Sequence, residues 1–322
     1  MGRPTISALP VWLLLGFGGI VQPYSEAGDK KDPDVKARIL FAQFPRDTPI
    51  TDQGGVESIR LGEKKATLLF ERPDLIEGIP TNYRLSPDGK KIAYCLQKRG
   101  GEGNGIYVRS VDSKAAPVDM EADGGHVSWS PDGSQLLVSR GQTGNVIVDV
   151  KTKKQTQIDL APDHWLEDWS PDGKWFLLRI KTEKDKIQLA WMNRENAKVH
   201  ALSGTEGAWE GRIAPDAKRI LFVRAAAKGA SNLWVLNRED GKTHKINQEL
   251  NGIVRSFSWS PSGKRVAYTL IRFDLDSPTP PREQETETFV MVSDLDGSNQ
   301  QTLVSRNTAG TSAVDMTLWD WR

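Results

Sequence analysis

The side chains able to move protons, attack carbonyls or hold metals are few in this chain of 322 residues. It has four histidines, His126, His164, His200 and His244, and one cysteine, Cys95. A single cysteine makes no intrachain disulfide and no cysteine-based metal cluster. His126 and His164 stand just before two successive copies of a Trp-Ser-Pro-Asp-Gly pattern, a spacing that would bring them to one mouth of a ring. With no assured carboxylate between them, ordinary exposed histidine is preferred over a metal site. There is no Gly-x-Ser-x-Gly elbow and no His-Glu-x-x-His pair, and Gly100-Gly101-Glu102-Gly103 lacks the Lys and Ser/Thr of a phosphate loop. Asp274-Leu275-Asp276 and Asp294-Leu295-Asp296-Gly297 lack the later Glu of a calcium loop and read as a loop and a hairpin turn. No catalytic set, metal or cofactor is therefore expected.

The elements that would position any site are set out by a repeated turn. It reads Ser86-Pro87-Asp88-Gly89, Ser130-Pro131-Asp132-Gly133, Ser170-Pro171-Asp172-Gly173, Ala214-Pro215-Asp216-Ala217 and Ser260-Pro261-Ser262-Gly263. The prolines are 44, 40, 44 and 46 positions apart. Pro presets the first turn angle, Asp bonds a backbone amide and Gly accepts a positive φ, so these residues have structural roles. Where Ala217 replaces Gly and Ser262 replaces Asp, a different turn type is expected. Around each turn four short alternating strands can be read, and no amphipathic helix of three turns occurs. Four-stranded units with a period in the forties are the signature of propeller blades.

The ends complete the count. Leu318-Trp319-Asp320-Trp321-Arg322 is similar to Leu166-Glu167-Asp168-Trp169-Ser170, an innermost strand, while Ala37 to Phe70 supplies three strands with no turn motif before them. The expected fold is all-β: a six-bladed propeller of four-stranded antiparallel blades, closed when the C-terminal strand joins the N-terminal three. Closure removes exposed strand edges.

Aligned on the turn proline, two rows emerge. Two positions before it stand Leu85, Trp129, Trp169, Ile213, Trp259 and Trp321; three before it stand Arg84, Ser128, Asp168, Arg212, Ser258 and Asp320. Both rows repeat every three blades, which points to a duplicated three-blade unit. The Trp row reads as core, filling the wedge between blades. The charged row alternates to the other side and would line the channel, as an ion-pair belt of Asp320 beside Arg84 and Asp168 beside Arg212 in preference to a ligand-binding ring.

Charge is balanced, 43 Lys and Arg against 42 Asp and Glu, which offers no footprint for nucleic acid or an anionic membrane. Residues 1–27 read as a signal peptide: Arg3, an apolar run from Ala8 to Val21, then Ser25-Glu26-Ala27 for cleavage. That run is shorter than the roughly 20 residues of a spanning helix. Residues 28–36 read as a polar, mobile linker and 37–322 as the propeller, a monomer with no membrane span after cleavage, located in the periplasm or outside the cell. The face opposite the turns carries His164, Trp165, Trp209, Gln43 to Gly55 and the Pro-rich stretch Phe273 to Glu287. Exposed aromatic and Pro-rich loops on a rigid ring suit a protein or peptide partner.

The Trp-Ser-Pro-Asp-Gly turns, with units such as Val290-Met291-Val292-Ser293-Asp294-Leu295-Asp296-Gly297-Ser298-Asn299, resemble the WD-repeat-like blades of the TolB family. The resemblance covers roughly Lys36 to Arg322 and is to the propeller part alone, with no room for the α/β domain that precedes it in TolB. A complete ring with no recognisable catalytic set leads to the expectation of an exported, non-catalytic scaffold that binds a protein or ligand in the cell envelope. Similar blades in other propellers leave open a polysaccharide lyase or hydrolase, with carboxylates, Arg and His at one mouth, or an accessory subunit of a peptidase.

Overall fold

A computed structural model describes residues 32–45, 55–71, 79–97, 104–113, 115–140, 144–182, 186–246, 252–274, 276–277, 287–307 and 314–322. The expected signal segment, 46–54 and most of the Pro-rich stretch with Pro278, Pro280 and Pro281 lie outside these residues.

The described strands form six sheets of four. The first blade holds β1 (Ile39–Pro45), β2 (Gly55–Ile59), β3 (Thr67–Glu71) and, innermost, β24 (Val314–Trp321). The second runs β4 (Ile79–Leu85), β5 (Lys91–Gln97), β6 (Asn104–Ser110) and β7 (Val118–Asp123). The third runs β8 (His126–Trp129), β9 (Gln135–Ser139), β10 (Asn145–Asp149) and β11 (Gln155–Ile158), and the fourth β12 (His164–Trp169), β13 (Trp175–Lys181), β14 (Ile187–Asn193) and β15 (Val199–Ala201). The fifth contains β16 (Ala208–Ile213), β17 (Arg219–Ala225), β18 (Ser231–Asn237) and β19 (Thr243–Lys245). The sixth contains β20 (Gly252–Trp259), β21 (Arg265–Arg272), β22 (Glu287–Asp294) and β23 (Gln301–Asn307). Neighbouring strands in every blade pair antiparallel, and the inner strands β24, β4, β8, β12, β16 and β20 surround the channel.

The turns explain why these hairpins form. At Ser86 the hydroxyl donates to Asp88 (2.6 Å), Asp88 accepts from the amide of Lys90 (3.1 Å) and Gly89 sits at φ 68°. The same bonds recur at Asp132 and Asp172. Contrary to expectation, the two variant turns keep this form: Ala217 takes φ 58° and donates to Ala214 O as its glycine counterparts do. Ser262 stands in for Asp with its own hydroxyl, which accepts from Lys264 N at 3.1 Å.

That substitution also draws in the N-terminal segment. Residues Pro33–Lys36 form one helical turn, α1, capped by Asp32, where a mobile linker is expected from composition. Asp34 is buried and accepts from Ser262 N (2.9 Å) and Ser262 Oγ (2.7 Å), while Arg265 bridges Asp32 and Asp34 at 2.8 and 3.0 Å. A buried carboxylate with these partners fixes the segment against the sixth blade. Residues 28–31 of the expected linker lie outside the described residues.

Every member of the Trp row is buried, from Trp321 at 0% to Ile213 at 7% exposure, so the row is core between blades. β24 closes the ring on β1, from Ile39 opposite Trp321 to Pro45 opposite Val314, and the two ends are tied by Arg38 N to Arg322 O (2.7 Å) and the reciprocal bond (3.1 Å). Among the described residues no helix is long and apolar enough to cross a membrane.

Candidate functional site

Around the channel, hydrogen bonds between inner strands follow the three-blade period. Asp168 accepts from Ser128 Oγ (2.6 Å) and from Ile213 N of the next strand (2.9 Å). Three blades on, Asp320 accepts from Ser258 Oγ (2.5 Å) and from Leu85 N (3.1 Å). The indole of Trp129 donates to Arg84 O at 2.9 Å, and that of Trp259 to Arg212 O at 3.0 Å. The residues that repeat in sequence thus make the same bonds.

The expected ion-pair belt is not what they form. Asp168 and Asp320 are taken up by serine hydroxyls and main-chain amides, and the ion pair of Asp320 is with Arg322 at 3.6 Å. A buried amide without an acceptor is costly, so the carboxylates serve the backbone first. Arg84 and Arg212 reach instead toward the mouth opposite the turns. Arg212 donates to Glu210 Oε1 at 2.6 Å, and Arg84 lies 3.9 Å from the same oxygen. Arg84 also donates to His126 Nε2 at 3.2 Å. A guanidinium only donates, so Nε2 is the acceptor and this ring is neutral. Burial, followed by Arg84, Arg212 and Arg179, holds His126 well below its ordinary value.

This charged layer separates two spaces. Toward the turns is a small cavity of about 130 Å³, lined in part by Arg84, Arg212, Asp168, Asp320 and Arg322. Toward the opposite face the channel widens to a cavity of about 570 Å³, with His126, Glu167, Arg179, Glu210, Trp165 and Trp209 in its wall. The sequence candidates His126, Trp165 and Trp209 therefore come together, whereas His164 is half-buried on β12 and does not line this cavity. His126 finds a carboxylate after all: Glu167 Oε2 is 3.7 Å from its Nε2, and Arg179 Nε is 3.4 Å from Glu167 Oε1. Arg179 itself is held by Trp209 O at 2.6 Å and lies over the Trp165 ring at 5.4 Å.

Glu167, Arg179 and Glu210 are not among the residues singled out from sequence. Glu167 falls at a bulge: Leu166 pairs Leu178 and Asp168 pairs Leu177, leaving Glu167 as the extra residue, which a bulge re-aims. Its carboxyl is 2% exposed, and burial pushes it up to about 7, with Glu210 adding to the rise and three arginines opposing it.

The matches to known proteins agree with this geometry. The TolB beta propeller domain family matches residues 74–263, more than half of the chain. The chain belongs to that family. Among solved structures, TolB from Acinetobacter baumannii superposes with a TM-score of 0.67 at 18% identity, covering 89% of this chain and 67% of the other. A putative TolB from Agrobacterium tumefaciens gives 0.60 at 18% identity, covering 88% and 98%. A nidogen/laminin complex structure gives 0.59 at 10% identity over 88% and 98%, which shows the ring architecture alone. No curated protein sequence matches the chain.

In this TolB-family ring Glu167 carries a pH signature. Its folded-state value of about 7 lies above the ordinary 4.5, so the protonated carboxyl favours the fold. That contribution is complete below about pH 4.5 and is lost as pH rises through about 7. Glu167→Gln, neutral throughout, is expected to be more stable than the parent by about 2–3 kcal/mol at pH 8 and equal to it near pH 4.5. His126 works in the opposite sense, its stability contribution fading below pH 6.5, but it is present in both proteins. Urea unfolding at the two pH values reads the difference, and a gain that is the same at both would refute the assignment.

Proposed function

We propose that this protein is an exported, non-catalytic binding scaffold whose channel mouth holds a segment of a protein partner in the cell envelope. The observation that carries this reading is the open cavity of about 570 Å³ on a rigid ring, with half-buried Trp165 and Trp209 in its wall. Amphipathic aromatic side chains around a concave site are the usual anchors of protein recognition. Export rests on the signal-like residues 1–27 and on membership of the TolB propeller family.

The test is affinity capture from an envelope fraction with the full chain and with a Trp165→Ala, Trp209→Ala double variant. Loss of the captured partner in the variant, with an unchanged melting temperature, is the expected result. Equal capture by both proteins, or recovery of the protein itself only from the cytosol, would count against the proposal.

One observation favours a second reading, a polysaccharide lyase or hydrolase. Glu167 and Glu210 line one cavity in unlike surroundings, the first held up to about 7 and the second paired with Arg212, and such contrasts mark acid and base partners. Turnover of a polysaccharide that vanishes in Glu167→Gln would replace the scaffold reading.

A further inference from the structure

We propose that the mouth selects a carboxylate, so that the segment it holds presents an Asp or Glu side chain or a free C-terminus. This inference rests on the binding reading above and names its chemistry. Three guanidinium groups converge on the cavity and its floor: Arg84 from β4, Arg179 from β13 and Arg212 from β16. Two carboxyl groups, Glu167 from β12 and Glu210 from β16, stand against them, and His126 from β8 is neutral. Arg140 also lines the wall, and Asp168, Asp320 and Arg322 lie in the layer beneath it, so five arginines stand against four carboxylates and cations remain in excess by one even when all four are ionised.

Hydrogen-bond capacity points the same way. Arg84 is 6% exposed and its Nε is buried without a partner. Donors buried in surplus are costly until an acceptor arrives. Among the described residues Glu167 lines the cavity with no hydrogen bond to its oxygens: Arg179 Nε is 3.4 Å away, and His126 Nε2, 3.7 Å away, is already the acceptor of Arg84. In its protonated form it offers an O–H. An entering carboxylate takes one bond from that O–H and another from a guanidinium fork, a pairing that is stronger than neutral contacts. A cationic group would enter a space where burial, and after it Arg84, Arg212 and Arg179, hold His126 well below its ordinary value, and where burial, with Arg212 adding to it, holds Arg84 down to about 10.

Binding of a carboxylate then draws a proton onto Glu167, and affinity rises as pH falls. With the free group near 7, the gain between pH 8 and pH 6 is about tenfold. Lysine-bearing ligands would show the reverse slope.

The experiment uses the full chain and four blocked tripeptides, read by the indole N–H signals of Trp165 and Trp209 in NMR titrations. Acetyl-Gly-Asp-Gly-amide carries a side-chain carboxylate, acetyl-Gly-Asn-Gly acid a terminal one, acetyl-Gly-Asn-Gly-amide none, and acetyl-Gly-Lys-Gly-amide a cation. One or both carboxylate peptides are expected to bind, about tenfold more tightly at pH 6 than at pH 8, and which of them binds identifies the source. Glu167→Gln should bind with a flat pH profile, and Arg179→Gln, on the half-exposed wall, should weaken binding at every pH. If the neutral or the Lys peptide binds equally well, or affinity rises with pH, the choice of a carboxylate is overturned while the mouth stands as a binding site. If none of the four binds, this proposal falls; equal capture by the Trp165→Ala, Trp209→Ala variant would separately remove the reading it rests on.

Discussion

Deleting Leu318 to Arg322 is expected to abolish cooperative folding, because Leu318–Trp321 are half of β24, the innermost strand of the first blade. Trp321 is fully buried and Leu318 is 4% exposed, both in the core cluster with Ile39, Phe41 and Val290. Truncating a buried Trp costs about 3–5 kcal/mol and a buried Leu about 2–5. Together these are comparable with the whole stability of a typical native domain, about 5–15 kcal/mol. The deletion also leaves Ile39, Leu40 and Phe41 of β1 without their partners and exposes an edge that invites association. Near-ultraviolet circular dichroism during heating would report the loss of tryptophan packing. A truncated chain that melts together with the full-length protein would refute the latch.

Asp320→Ala is the second large effect expected, about 3–5 kcal/mol of lost stability. The carboxylate is 6% exposed and accepts from Ser258 Oγ, Leu85 N and Trp321 N at 2.5, 3.1 and 2.9 Å. Those donors belong to the sixth, second and first blades, so one side chain fastens three blades where the ring closes. Alanine takes the carboxylate from Leu85 N and leaves Trp321 N and Ser258 Oγ only their longer bonds, to Ser258 Oγ (3.2 Å) and Trp259 O (3.3 Å); each buried orphan costs about 1–3 kcal/mol. Asp168→Ala, which removes an acceptor from Ser128, Ile213 and Trp169, the last keeping a longer bond to Ser128 Oγ (3.3 Å), should lose a similar amount if the three-blade period is energetic as well as geometric. Urea midpoints measure both variants. A loss below about 1 kcal/mol in either would mean that water satisfies the donors.

The blade count, the latch and the buried Trp row were legible in the sequence because each is carried by residues with a local physical task. Pro87, Asp88 and Gly89 specify a turn wherever they stand together, and Trp129 at a fixed distance from the turn has one place to go. The charged row was harder. Alternation places Arg84 and Asp320 side by side, but not whether a carboxylate will serve a cation or a neighbouring amide. Here Leu85 N, at 3.1 Å, lies nearer Asp320 than its ion-pair partner Arg322, at 3.6 Å, and Arg84 turns to the mouth.

The mouth was legible only in part. His126, Trp165 and Trp209 line the cavity on the face opposite the turns, yet Glu167, buried in the same wall, was not singled out. Four positions before the turn proline stand Tyr83, Val127, Glu167, Gly211 and Phe257. A charge among core residues was the available signal, obscured because the bulge at Glu167 breaks the simple alternation. The N-terminal clasp was hidden for another reason: Asp32 and Asp34 sit in a polar stretch, and their partners Ser262 and Arg265 are some 230 positions away.

The seam between β1 and β24 has a mechanical consequence. The strands run antiparallel, with Ile39 opposite Trp321 at the end where the chain enters β1 and leaves β24. Once the Asp32 and Asp34 clasp has given way, tension between the two ends therefore acts across the strands, on one hydrogen bond at a time, starting at the Arg38–Arg322 pair. The ring unzips under such a load instead of resisting it in shear. A pull applied at the rim of the ring, across a blade, meets the full ladder at once. A TolB-family propeller built in this way withstands force through its faces and gives way when drawn out by its ends.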